Sequence, residues 1–175
     1  SMLFVMSSRV MASAKRISEV LDEPVDLNDD HAEHKDLLVH NGRVEFRNVS
    51  FRYYKNSEGK VLDNINLTID AGTTVGIIGS TGCGKSTLVS MIPRLYDVDE
   101  GEVLVDGVNV KDYNLRHLRS HIGMVLQSNV LFTGTIRSNL QWGAPDGDDE
   151  TLLDATKDSQ AYEFISRFPE GLDTE

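Results

Sequence analysis

Cysteine occurs once in the 175 residues, at Cys83. That excludes an internal disulfide framework and a thiolate zinc cluster, and it suits a reducing compartment. Basic residues are outnumbered, 17 Lys and Arg against 28 Asp and Glu, for a net charge of −11. No basic stripe is available to neutralise a polyphosphate backbone, so nucleic acid is not an expected partner. Long apolar runs are missing too. The longest near the start, Met2-Leu3-Phe4-Val5-Met6, falls far short of the ~20 residues that span a bilayer, and no basic residue precedes it as in a signal peptide. Five histidines are present. His31 and His34 sit in a charged stretch, and His117 and His121 are four apart on an expected helix without a further ligand in the pattern. What remains is the composition of a soluble globular chain, long enough for one core or one core with a small appendage.

Against that background one segment stands out, Gly79-Ser80-Thr81-Gly82-Cys83-Gly84-Lys85-Ser86-Thr87. It carries two glycines separated by four residues, then Lys, then Ser, the pattern of a phosphate-cradling loop. Thr74-Val75-Gly76-Ile77-Ile78 before it reads as a buried strand, and Thr87-Leu88-Val89-Ser90-Met91-Ile92 after it as the first turns of a helix. A strand that turns through glycines into a helix leaves backbone N–H groups pointing one way at the positive end of the helix dipole. Glycine lets that backbone approach phosphates closely. Lys85 reaches the outer phosphates, and the Ser86 hydroxyl is a Mg²⁺ ligand of the right kind. Cys83 lies inside this loop, where an adduct on its sulfur would fill the space the phosphates need.

Apolar residues at Leu3, Met6, Val10, Ala14, Ile17 and Leu21 predict a helix over 3–21, stopped by Pro24. Such a helix either folds onto its own domain or is the end of a longer one. Residues 22–41 crowd seven carboxylates with little apolar content and read as a solvated linker. From Val44 alternation predicts a strand to Tyr53 with a register change near Asn48. A further strand follows over Val61–Ile69, and the two suggest a small antiparallel layer. Helix to about Leu95, limited by Pro93, then a strand at 102–107, a helix over Leu115–Ser120 and a buried strand at Ile122–Gln127 complete a mostly parallel α/β core. Helices are expected at 135–141, at 150–157 with Asp148 or Asp149 as cap, and at 162–168.

With these pieces in order, the chain from about Val44 to Glu175 resembles the nucleotide-binding domain of exporter-type ATP-binding cassette (ABC) transporters. Asn48-Val49-Ser50-Phe51-Arg52-Tyr53 and Val61-Leu62-Asp63-Asn64-Ile65-Asn66-Leu67 are similar to that domain's opening strands. Arg94-Leu95-Tyr96-Asp97 and Gly101-Glu102-Val103-Leu104-Val105-Asp106-Gly107 are similar to the stretch after its phosphate loop. Ile122-Gly123-Met124-Val125-Leu126-Gln127, with Leu131 to Ile136 and Asn139-Leu140, resembles its glutamine loop. Residues 1–24 resemble the end of an exporter's last transmembrane helix, and 25–42 the acidic linker between it and a partial nucleotide-binding domain at 43–175.

The resemblance implies a P-loop NTPase core of the α/β class, with ATP and Mg²⁺ as ligands. It assigns nucleotide contacts to Tyr53, Val61, Gly79, Ser80, Thr81, Gly82, Cys83, Gly84, Lys85, Ser86 and Thr87. Catalytic roles fall to Lys85 and Gln127, and metal contacts to Ser86 and Gln127. Tyr53 would stack on adenine, with Tyr54 the competing candidate and Tyr53 as mere sheet packing the alternative; such stacking is worth on the order of 1–3 kcal/mol. Implied partners are the transporter's transmembrane domain and a second nucleotide-binding domain, at the cytoplasmic face of a membrane, the chain itself being soluble. The family's Ser-Gly-Gln signature, its apolar strand ending in Asp-Glu and its switch histidine have no counterpart in this sequence. The chain is therefore expected to represent the first half of a cassette, binding ATP weakly and hydrolysing it little. Two other classes stand beside this: a nucleotide-gated interaction module without turnover, and another P-loop enzyme such as a small-molecule kinase. A GTPase would need an Asn-Lys-x-Asp guanine reader, which is missing.

Overall fold

The computed structural model describes residues 2–175, with side chains described from Arg9 onward. It divides into two compact units, residues 1–123 and 124–175.

In the first unit, helix α1 (Met2–Leu21) leads the chain. Its stripe residues Leu3 and Met6 fall outside the described side chains, but Val10, Ile17 and Leu21 are 67, 61 and 78 % exposed. The reading in which this helix folds onto its own domain is thereby corrected: the described part of the stripe is covered by nothing. No helix among the described residues is long and apolar enough to cross a membrane.

The acidic stretch that follows is not a free connector. The Asp29 carboxylate accepts from the Asn114 amide (2.7 Å) and the Leu115 N–H (3.0 Å). His34 N–H donates to the Asp112 carbonyl, Ala32 is buried, and Leu37 and Val39 pack on the core. Six of its seven carboxylates stay exposed, while the buried Ala32 and the core-packed Leu37 and Val39 anchor the segment. Asp106 holds the far end, its carboxylate accepting the N–H groups of His40, Asn41 and Arg43 at 2.8–3.0 Å. Burial pushes the Asp106 carboxyl up, the backbone donors outweigh it, and the group ends below the usual carboxylate range.

Strands β1 (Val44–Phe51), β2 (Leu62–Ile69), β3 (Glu100–Val105) and β4 (Val108–Asn109) form one sheet in the order β2-β1-β3-β4, antiparallel throughout. This is the expected antiparallel layer. β1 is central and is buried along both ends of its length. The register change expected near Asn48 is present: pairing slips between Phe46 and Val49, and Asn48 takes a left-handed φ of 49°. Gly101 of β3 sits against this bulge with φ 78°, and a Cβ there would lie 2.3 Å from the Arg47 carbonyl oxygen. Only glycine fits. Val49, Val103, Met91, Tyr113 and Leu118 make the most enclosed part of the core.

Two expected strands are not formed. Thr74–Ile78 and Ile122–Gln127 carry no strand pairing among the described residues, and Ile78 and Val125 are 99 and 90 % exposed. The mostly parallel sheet is thus corrected to a wholly antiparallel one of four strands. The cause is that an apolar run states a demand for burial, whereas a strand needs hydrogen-bonding neighbours on its edges. Among the described residues no segment supplies them.

Helix α2 (Lys85–Met91) ends two residues before Pro93, and α3 (Leu115–Ser120) is capped by Asn114, whose side chain accepts from Arg116 and His117 N–H. In the second unit α4 (Ile136–Leu140), α5 (Asp149–Asp158) and α6 (Tyr162–Ile165) gather around Leu152, Ile165 and Leu172. Asp148 is the cap of α5. Arg137 pairs with Asp149 and, at 2.7 Å, with Asp173, which ties three segments of the unit together.

Candidate functional site

The glycine loop is built as its sequence demands. Residues 81–84 turn, and α2 starts at Lys85. Gly82 and Gly84 have φ of 82° and 91°. A Cβ on Gly84 would stand 2.9 Å from the Val61 carbonyl oxygen, so left-handed backbone and close approach both require glycine here. Gly84→Ala is expected to cost at least about 1–2 kcal/mol from the backbone alone, readable as a lowered thermal midpoint; an unchanged midpoint would contradict the loop geometry.

No side chain caps the N-terminus of α2 from the Gly84 position. Lys85 curls back over the loop. Its ammonium donates to the carbonyls of Gly79 (2.8 Å) and Ser80 (2.7 Å) and lies 3.6 Å from the Cys83 sulfur. Cys83 N–H in turn donates to the Ser80 carbonyl, and Cys83 is exposed. A positive group is therefore held at the start of α2, beside an accessible thiol. The fit to an anion rests on the Lys85 ammonium held at this turn. A maleimide is expected to modify Cys83, with ATP–Mg²⁺ slowing the reaction. Equal labelling rates with and without nucleotide, read by mass spectrometry, would place Cys83 outside any nucleotide footprint.

An open cleft of about 450 Å³ has a lining that includes Asp26, Leu27, Arg52, Tyr53 and Tyr96, with none of residues 79–87. Tyr53 meets Phe51 and Tyr96 edge to face, at ring-centroid distances of 5.0 and 5.2 Å. Its hydroxyl is 2.9 Å from the Thr87 hydroxyl. Tyr54 is 78 % exposed, against 48 % for Tyr53, and does not line the cleft. Tyr96 was not singled out by the sequence reading, although an aromatic directly after the Arg94-Leu95 pair was the available signal. The loop that presents it is fixed by Arg94, which is buried and grips Asp97 through two nitrogens at 2.7 and 3.1 Å. Burial pushes the Asp97 carboxyl up, and the Arg94 hydrogen bond and charge bring it below its ordinary value.

The predicted site residues thus separate into two groups. Tyr53, Val61 and residues 79–87 come together within the first unit. Ser86 opens its second helical position, and Ser90 Oγ donates to the Ser86 carbonyl. Gln127 belongs to the second unit. His121 Nδ1 lies 2.8 Å from the His117 carbonyl, and no group of three or more potential metal ligands occurs among the described residues.

The family model described as ABC transporter matches residues 62–174. The chain belongs to the ABC transporter family. The match includes the whole glycine loop and Gln127, while Tyr53 and Val61 precede it. YgaD of Bacillus subtilis (strain 168), provisionally named as a multidrug export ATP-binding/permease protein, is 50 % identical over 133 residues, 76 % of this chain and 23 % of YgaD. A Staphylococcus aureus (strain NCTC 8325 / PS 47) protein of the same provisional description is 40 % identical over 159 residues, 91 % of this chain and 27 % of its own length. The structure of a bacterial Atm1-family ABC exporter with ATP bound superposes with a TM-score of 0.85 at 30 % identity, over 99 % of this chain and 30 % of that one. The chain spans about a quarter of the length of the curated ABC relatives it matches. Its fold class is the P-loop NTPase core of ABC ATPases with a small antiparallel layer.

Proposed function

We propose that this chain is the ATP-binding part of an exporter whose complete protein couples ATP hydrolysis to transport across a membrane. The observation that carries the reading is the Lys85 ammonium held over a glycine turn at the start of a helix, in a chain of the ABC family. Lys85, Thr87 and the loop amides hold the phosphates. The Ser86 hydroxyl is a donor of the right kind for Mg²⁺, which would neutralise phosphate charge when bound. Tyr53 provides the face for adenine, with Val61 alongside. The names of the relatives, which join ATP-binding to permease, support a transmembrane domain as partner at the cytoplasmic face of a membrane. The second unit offers an open apolar groove of about 640 Å³, lined by Leu131, Phe132, Leu140, Phe164 and Phe168, as a surface for it. The second nucleotide-binding domain belongs to the same proposal.

Turnover by the 175 residues alone is expected to be near background, because no run of four apolar residues ends in an Asp-Glu pair that would supply the magnesium contact and the base for water. The test is phosphate release measured beside nucleotide-dependent thermal stability. Stabilisation by ATP–Mg²⁺ without release supports binding alone. Robust release abolished by Lys85→Ala would show that the chain carries its own base. Neither effect would remove the nucleotide reading.

A further inference from the structure

Tyr53 follows β1 in a stretch without regular structure, and it is 48 % exposed. An aromatic ring in such a place ordinarily samples several orientations, and ordering it on binding costs affinity. Here three contacts fix it. The near-perpendicular contacts with Phe51 and Tyr96 set the plane of the ring, and the hydroxyl at its tip is bonded to Thr87 Oγ1. Thr87 is only 5 % exposed and sits two residues after Lys85, in the first turn of α2.

We propose that the Tyr53–Thr87 hydrogen bond couples the base subsite to the phosphate subsite, with Thr87 acting as the positioning residue for the Tyr53 ring. The inference rests on Tyr53 being the base platform and adds what holds it. A hydroxyl has one proton to give and two lone pairs. Thr87 Oγ1 accepts from the Tyr53 O–H and keeps its own proton for a phosphate oxygen. Hydrogen bonds chained in this way polarise one another, so phosphate at Thr87 strengthens the grip on Tyr53. By linkage the reverse holds equally: a base on the ring favours phosphate on the loop.

The test compares Mg²⁺–ATP with Mg²⁺–tripolyphosphate, which lacks base and sugar, by calorimetry on the 175-residue chain. The ratio of the two affinities isolates the contribution of the base end. Tyr53→Phe keeps the ring and its aromatic contacts and is expected to lower the ratio about three- to tenfold, the size of one neutral hydrogen bond. Thr87→Val weakens both ligands but lowers the ratio by the same factor. The double variant lowers it no further than either single one, and Thr87→Ser restores most of what Thr87→Val loses. Factors that multiply in the double variant overturn the coupling. An unchanged ratio in Tyr53→Phe, with a lowered one in Tyr53→Ala, overturns the coupling and leaves the platform. An unchanged ratio in Tyr53→Ala overturns the platform and the coupling with it.

Discussion

Replacing Lys85 by alanine is expected to weaken ATP–Mg²⁺ binding ten- to a hundredfold. The ammonium is anchored by two carbonyls of the loop it serves, at 2.7 and 2.8 Å. It is thus held at the loop rather than swinging in solvent, and little side-chain freedom remains to be lost when phosphate binds. A charge-assisted hydrogen bond to a phosphate oxygen contributes ~1.5–3 kcal/mol, which is that range of affinity. The variant also removes two hydrogen bonds within the loop, so its fold must be followed beside its affinity. Calorimetry is the measurement. Equal affinities for the wild-type protein and Lys85→Ala, with both folded, would contradict the assignment of Lys85.

The second large effect is on stability. Tyr113 is fully buried, and its hydroxyl donates to the Val105 carbonyl at 2.9 Å. It packs in the core with Leu118 and Val103 and bridges to His34 of the acidic segment. Tyr113→Ala deletes an aromatic ring from this core and is expected to cost about 3–5 kcal/mol. Tyr113→Phe keeps the ring, removes the donor and leaves the Val105 carbonyl without its partner, for about 1–3 kcal/mol. Chemical denaturation should rank wild type, Tyr113→Phe and Tyr113→Ala in descending order. Burial also pushes the Tyr113 phenol up from its ordinary value, so ionisation of this group is opposed by the fold. A Tyr113→Phe protein as unstable as Tyr113→Ala would mean that the ring itself contributes little.

The turn and helix start of the glycine loop were legible because they are set locally, whereas the strand expected at Thr74–Ile78 before it is not formed. Glycines that must take positive φ, a lysine at fixed distance and a helix start lie within nine consecutive residues, and backbone geometry within such a span depends little on the rest of the chain. The bulge at Asn48 was legible for the same reason: a break in a two-residue alternation appears in the sequence itself. The helix caps Asn114 and Asp148 are likewise set by residues one to three positions away.

What the tertiary structure alone decided depends on residues distant in sequence. Thr74–Ile78 and Ile122–Gln127 have the apolar character of strands, yet pairing is a property of two segments and cannot be read from one. The acidic segment looked solvated because charge dominates its composition. Asp29 binds the start of α3 some 85 residues later, and Asp106 gathers the N–H groups of His40 to Arg43 from more than 60 residues away. Tyr53 and Tyr54 are adjacent and alike in sequence, yet Tyr53 is the one that meets Thr87 and Tyr96, which stand 34 and 43 positions further along the chain. Local sequence therefore determined the glycine turn and the start of α2. The fold determined which ring stands beside them, because only folding brings a hydroxyl on α2 within 2.9 Å of a tyrosine beyond β1.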